Sequence, residues 1–302
     1  MHIPDGFLST PVWATLDLAA VPAIGYMVRR AQRGFDDAKI PLLGVMGAFV
    51  FAAQMINFPV GIGTTAHLLG GALLAYTLGP AAASVTMASI LAIQALVFQD
   101  GGILALGPNM VNMALAGVLA GYLPFYLWGG GRWRRASIFA GGVLSALVSA
   151  VLALAELSIS GVRMPLSILG VSLALFLVAA VLEGAITVAV IGALEKIQPN
   201  FVRQPREGRP VALGAAALAG LLLATVGVLL AAAAPDGIQK LGLQTGVASR
   251  AQALFSTPFT DYQAAFLSAG WERKTLGGLA GLALVYGVCL IFGRAVARRR
   301  SA

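Results

Sequence analysis

Apolar runs close to the length of a bilayer-spanning helix follow one another along almost the whole chain, broken only by short polar connections. A helix needs about 20 consecutive apolar residues to cross the hydrocarbon core. Such runs are read at 11–28, 40–57, 66–79, 81–98, 109–129, 136–158, 166–194, 211–233 and 275–293. Only 11% of the residues are charged, whereas a soluble domain carries about a quarter. The expected fold is an all-α polytopic membrane protein of about nine transmembrane helices, with little mass outside the bilayer.

The net charge of +8 does not mark a nucleic-acid binder, because the basic residues cluster at the ends of apolar runs. With the N-terminus outside, the cytoplasmic connections hold Arg29, Arg30, Arg33 and Lys39, then Arg132, Arg134 and Arg135. They also hold Lys196, Arg203, Arg206 and Arg209, and the tail Arg294, Arg298, Arg299 and Arg300. Arg163, Lys240, Arg250, Arg273 and Lys274 remain outside. Positive residues keep loops cytoplasmic, so this split predicts an external N-terminus and a cytoplasmic C-terminus. No basic stretch precedes the first apolar run, so no cleavable signal peptide is read and the mature chain is expected to start at Met1. The single Cys289 lies within the last run, which excludes an internal disulfide and a thiolate metal cluster.

The third run is interrupted. Phe58-Pro59-Val60-Gly61-Ile62-Gly63-Thr64-Thr65-Ala66-His67 precedes about a dozen helical residues, too few to cross at 1.5 Å each. Irregular backbone is tolerated at membrane depth only where protein buries it or it lines a cavity, so this stretch is expected to dip into the protein before a helix that starts near His67. Further along, the polar segment 201–210 reads as a cytoplasmic linker. It separates a seven-span unit, 1–200, from a two-span unit, 211–302, whose external loop 234–274 contains Pro235-Asp236-Gly237-Ile238-Gln239, a turn running into a short helix.

The chain has two histidines, His2 and His67. A free α-amino group, the amide nitrogen of His2 and its imidazole Nδ1 close two fused chelate rings around one ion. A planar set of nitrogens suits Ni(II) or Cu(II). Met1, His2 and His67 together offer four nitrogens and need no water to complete a square. Two plainer readings stand beside this one: position 2 as a frayed terminus, and His67 as a core histidine satisfied by a hydroxyl such as that of Thr64.

Ionisable residues within spans are functional candidates by default. Asp17, Glu156 and Glu183 are too scattered for a hard-cation cage, and they are read as helix-packing or hydrogen-bonding groups, with Glu183 the candidate for a supporting role. Asp5 is expected either to accept a proton from a liganding imidazole or to close the Pro4-Asp5-Gly6 turn. Asn109 and Asn112 open the fifth span with two amides that either line a site or cap a helix. Gly117-xxx-Gly121 and Gly277-xxx-Gly281 permit close helix contact.

Met1-His2-Ile3-Pro4-Asp5-Gly6-Phe7, Gly63-xxx-His67-Leu68-xxx-Gly70, the Asn109–Met113 segment and Glu183-Gly184 resemble the CbiM/NikM substrate-binding components of energy-coupling-factor transporters for cobalt and nickel. The tail from Pro235-Asp236-Gly237 resembles the small CbiN/NikN-type component, fused as in some members, with Ile238-Gln239 where Leu-Glu is usual. The resemblance covers essentially the whole chain. It implies a subunit of the bacterial inner membrane that takes Ni(II) or Co(II) as its substrate and has no catalytic cofactor. The implied partners are a transmembrane coupling protein of the CbiQ/NikQ type and ATPases of the CbiO/NikO type. It carries the role of metal ligands onto Met1, His2 and His67, and Pro4-Asp5 looks more like the nickel members.

No Gly-x-x-x-x-Gly-Lys-[Ser/Thr] loop occurs, so the chain is not itself a P-loop ATPase. A stand-alone secondary metal carrier would favour internal repeats, and none is detected. A membrane-embedded metalloenzyme needs an open metal position, which a four-nitrogen set does not leave.

Overall fold

Inside a bilayer no water is available to the peptide groups, so an apolar run satisfies its own backbone by becoming a helix. The computed structural model describes residues 1–34, 40–61, 63–199, 201–202, 210–251 and 253–298, and it is helical over most of each continuously apolar run. The chain order is α1 (Thr10–Gly34), α2 (Ile40–Gln54), a hairpin of β1 (Phe58–Gly61) and β2 (Thr64–Ala66), and α3 (Gly71–Leu78). Then follow α4 (Pro80–Phe98), α5 (Leu106–Trp128), α6 (Arg134–Ile159), α7 (Leu166–Ile197) and α8 (Val211–Leu230). A short α9 (Gly237–Thr245) and the long α10 (Gly270–Arg298) complete the fold.

Among the described residues, seven of these helices are long and apolar enough to cross a membrane: α1, α4, α5, α6, α7, α8 and α10. The all-helical, multi-spanning expectation holds, but the nine expected spans are not all alike. At 15 residues α2 is shorter than a typical span. The third run is only an 8-residue half-helix, α3, behind the hairpin. The hairpin departs from a purely helical reading for a local reason. Pro59, Gly61 and Gly63 oppose helix while Val60, Thr64 and Thr65 favour extended backbone, and Phe58 pairs with Ala66 in an antiparallel ladder. Most of the expected 201–210 linker, residues 203–209, lies outside the described residues.

Small residues set the packing. A Cβ on Gly142 of α6 would come 2.6 Å from the Cα of Gly184 on α7, and one on Gly121 would come 2.9 Å from Ala72 Cβ. The expected close contact at Gly117-xxx-Gly121 is therefore present, and Gly281 likewise receives the Phe51 ring of α2. Both α8 and α10 pack on α2. At one end of the bundle gather the N-terminal arm, the hairpin, the turn after α4 and the 231–269 segment. At the other, Arg134 pairs with Glu195 between α6 and α7.

Candidate metal centre

The N-terminus is an extended, buried arm rather than a frayed end: Met1 is 8% exposed, His2 3% and Ile3 0%. Main-chain bonds to neighbouring segments keep it there. The Ile3 N–H donates to Asn109 Oδ1 at 2.9 Å, Asn109 Nδ2 returns a bond to the Ile3 carbonyl at 3.1 Å, and Gly102 N–H donates to the same carbonyl at 2.9 Å. Asp5 accepts from the backbone N–H groups of Ile103 (3.0 Å) and Leu104 (2.8 Å), so its carboxylate pins the arm instead of meeting an imidazole. Gly6, at φ 88°, passes so close to segment 231–269 that a Cβ would fall 1.9 Å from the Arg250 carbonyl oxygen.

His67 arrives from the opposite wall. Glu183 of α7 accepts from the N–H groups of Leu69 and Gly70, both at 2.8 Å. A carboxylate thus caps the start of α3 and fixes the loop that carries the imidazole. His67 Nδ1 lies 3.0 Å from the Leu68 carbonyl, a geometry that assigns the proton to Nδ1 and the lone pair to Nε2. The backbone thereby takes the part expected of Thr64, which is buried in β2 beside the same recess. Nε2 is 2.7 Å from the Met1 amine nitrogen. Burial first, then the adjacent amine and His2, push the His67 pKa down to about 3, so the ring stays neutral and its lone pair stays available.

His2 faces His67, ring centroid to ring centroid 5.3 Å. Neither of its ring nitrogens has a hydrogen-bond partner, although Asp100 Oδ1 approaches Nδ1 to 2.9 Å. That contact has ion-pair distance without hydrogen-bond geometry. Asp236 Oδ2 stands 3.0 Å from the Met1 amine. Although burial alone would raise the pKa of Asp236, the ammonium charge and the Gln239 N–H hold it below the usual carboxylate range. Asp100 is also held low against its own burial, by the neighbouring His2 ring and by the bond it accepts from Tyr262. A cavity of about 470 Å³ adjoins His2, His67, Asp100 and Asp236.

The arrangement thus brings together Met1, His2 and His67. It uses Asp5, Asn109 and Glu183 to position them, and it adds Asp100 and Tyr262, which sequence reasoning did not single out, and Asp236, which it read only as part of a turn motif. Asp17 accepts from the Gly107 N–H and Glu156 from Asn112, in keeping with packing roles. Among the described residues no group of three or more His, Cys, Asp or Glu side chains is placed to hold an ion alone. The donors that converge here include the main chain.

A family model described as "Cobalt uptake substrate-specific transmembrane region" (CbiM) matches residues 2–201. The chain belongs to the CbiM family. A relative from Rhodobacter capsulatus, the fused nickel transport protein NikMN, is 31% identical over 99% of both chains. Two crystal structures superpose with a TM-score of 0.58. One, of a transition metal transporter, is 34% identical and covers 65% of this chain and 93% of its own. The other, of a truncated transition metal transporter, is 33% identical and covers 65% and 99%. As a CbiM-family membrane protein the chain is a metal-transport component, and the convergence of Met1, His2 and His67 is read in that light.

Proposed function

We propose that the chain captures Ni(II), or Co(II), from the external side and delivers it for ATP-driven uptake as the substrate-specific subunit of an energy-coupling-factor ABC transporter. The ligands are the Met1 amine, the deprotonated His2 amide, His2 Nδ1 and His67 Nε2. The 2.7 Å between Met1 nitrogen and His67 Nε2 carries the reading. Donors about 2.0 Å from one ion and at right angles about it stand about 2.8 Å apart, so that edge already has the size of a metal's coordination edge. An ammonium proton bridges it in the metal-free protein, and the ion replaces that proton. Binding therefore releases protons and weakens in mild acid.

Nickel is the preferred cargo, because planar nitrogen donors suit Ni(II) and the relative that matches end to end is named for nickel transport. With no phosphate loop in the sequence, energy comes from a CbiQ/NikQ-like coupling subunit and CbiO/NikO-like ATPases in the inner membrane. Residues 1–200 form the metal-binding unit, 201–210 the cytoplasmic linker and 211–302 the CbiN/NikN-like unit with its external loop 234–274. The charge split supports an external N-terminus.

The test is metal titration of the purified chain carrying one extra residue before Met1, beside His2→Ala and His67→Ala. The extension changes no native side chain but removes the chelating amine. Loss of nickel binding in all three is the expected result, and native affinity in the extended protein overturns the reading.

A further inference from the structure

The end of the bundle away from the N-terminal arm carries a cleft that metal capture does not use. From Thr10 to Arg30, α1 runs for 20 residues, about 30 Å at 1.5 Å per residue, which is the thickness of the hydrocarbon core of a bilayer. It packs on the start of α5, where Asp17 accepts the Gly107 N–H, and along residues 110–117. Beyond Gly117 that contact gives out, and a cleft of about 250 Å³ opens between the two helices. One wall is the α5 stripe Leu119, Tyr122, Leu123 and Tyr126, at the i, i+3, i+4, i+7 spacing of a single helix face. Met27 and Arg30 of α1 form the other. Pro80 and Ala81 line it from the first turn of α4, where a proline needs no N–H, and their small side chains give the cleft its depth.

The cleft is apolar inside and cationic at its mouth. Arg30 Nη1 donates to the Tyr26 hydroxyl at 3.3 Å, a neutral partner one turn back. Among the described residues no carboxylate pairs with Arg29, Arg30 or Arg33, whereas Arg134 at the same end of the bundle is paired with Glu195. Leu123 at 52% and Tyr126 at 72% exposure show that protein does not cover the α5 wall. The loop after α5 adds Arg132, 5.3 Å over the Trp133 ring, and both Trp128 and Trp133 are exposed. Exposed Trp and Tyr mark the level of the lipid headgroups. Arg30 therefore stands at headgroup level, with its stem and the stripe below it against acyl chains.

We infer that this cleft binds one anionic glycerophospholipid of the leaflet opposite the metal site, with an acyl chain along Tyr122 and Leu123 and the phosphate on the Arg30 guanidinium. A guanidinium takes phosphate oxygens two at a time. A zwitterionic headgroup brings its own ammonium to the same point and so gains less from Arg29, Arg30 and Arg33. A lipid fits better than a protein partner because the cleft joins the two environments of one lipid molecule, opening onto hydrocarbon and ending at an arginine cluster without acids. Its consequence is for α1, the least covered of the seven spans. The lipid fills the gap that α1 leaves against α5 and braces it there. The inference is independent of the nitrogen donor set.

The experiment titrates the purified full chain in mild detergent with phosphatidylglycerol and counts bound lipid by native mass spectrometry. Phosphatidylethanolamine with the same acyl chains, and glycerol 3-phosphate with none, are titrated beside it. Arg30→Gln removes the charge at the mouth, Ala81→Leu fills the cleft, and Arg29→Gln removes a neighbouring charge that does not line it. Melting without added lipid checks that each variant is folded. The expected result is one phosphatidylglycerol per chain, bound about fivefold more weakly in Arg30→Gln and within about twofold of native in Arg29→Gln. It is lost in Ala81→Leu, phosphatidylethanolamine binds at least about fivefold more weakly, and glycerol 3-phosphate does not bind. Equal losses in Arg29→Gln and Arg30→Gln would reduce the attraction to net charge and overturn the site. So would equal retention of the two lipids, or capture of glycerol 3-phosphate alone. Native lipid binding in Ala81→Leu, with loss of a co-expressed coupling subunit, would give the cleft to a protein partner and overturn it as well. Should Ala81→Leu fail to fold, the contrast between Arg30→Gln and Arg29→Gln decides.

Discussion

Asp236 Oδ2 lies 3.0 Å from the Met1 amine nitrogen, joining positions 235 residues apart in sequence. The carboxylate is itself fixed. Its Oδ1 accepts from the Gln239 N–H at 2.8 Å while Gln239 Oε1 accepts from the Asp236 N–H at 3.1 Å, a reciprocal cap at the start of α9. Glutamine closes that cap as well as glutamate does, so Ile238-Gln239 in place of Leu-Glu leaves the device intact. The ladder to Thr65, through its bonds to the Pro235 and Ala234 carbonyls, ties the same corner to the hairpin that leads to His67.

Asp236→Asn leaves the Met1 ammonium beside a neutral amide. Breaking a buried ion pair costs about 3–5 kcal/mol, and the slight exposure of both partners puts this one at the low end. With nickel bound the amine is neutral, so the carboxylate has less to stabilise. The variant should therefore lose thermal stability chiefly in the metal-free state, measured by melting in detergent with chelator and with saturating nickel. An equal drop in both states would sink the idea.

His67 gives the metal-free protein a definite pH dependence. Its folded pKa is pushed down to about 3, against about 6.5 in an unfolded chain. Between these values the unfolded chain binds a proton that the folded chain refuses. The contribution is thus fully present above about pH 6.5 and is lost as the pH falls toward 3, by at most about 1.4 kcal/mol per unit. Asp100 and Asp236, both held low, act in the same direction but only below about 3.9. Denaturant unfolding between pH 6 and 4 should show a flatter slope in His67→Gln, and an unchanged slope would contradict the burial of a neutral ring.

The candidate metal centre was partly legible because one of its proposed donors exists nowhere else in a chain: a free amine is available only at residue 1. The interrupted third span was legible too, since Pro59, Gly61 and Gly63 rule out helix before Gly71. What the sequence hid was the partner of each acid. Asp5 is three residues from His2 yet spends both oxygens on the N–H groups of Ile103 and Leu104. Asp100 is an ordinary acid at the end of a span, and its approach to His2 depends on Gln99 turning left-handed, which no periodicity encodes. Its only sequence signal was the Gly101-Gly102 pair behind it. Tyr262 and Asp236 enter the site by long-range packing of the last third of the chain.

Gly70 is required by both its torsion and its neighbour. It precedes α3 at φ 77°, and a Cβ there would fall 2.5 Å from Val50 Cγ1. Gly70→Ala pays for a left-handed alanine, about 1 kcal/mol, and for a collision with a buried valine. The loop from His67 to Gly70 should shift, and nickel affinity should fall about tenfold. Adding Val50→Ala removes the collision but not the torsional cost, so the double variant should recover part of the affinity. No recovery would mean that the steric contact is not what places the loop.

Glu183 offers a sharper test of how the imidazole is aimed, because it touches neither the arm nor the cavity. Its two oxygens take the N–H groups of Leu69 and Gly70 separately. A glutamine has one oxygen, and its NH2 would face the second N–H donor to donor. Leaving a buried donor unsatisfied costs about 1–3 kcal/mol, and in Glu183→Gln the cheapest relief is for the 67–70 loop to move away from α7. His67 Nε2 would then leave the 2.7 Å edge it shares with Met1, while the helices, each closed on its own hydrogen bonds, stay as they are. The variant should bind nickel about tenfold more weakly with unchanged far-ultraviolet dichroism, and Glu183→Ala, which frees both N–H groups, should be weaker still. Native affinity in both variants would show that the hairpin and β2, not the carboxylate of α7, hold His67 in place.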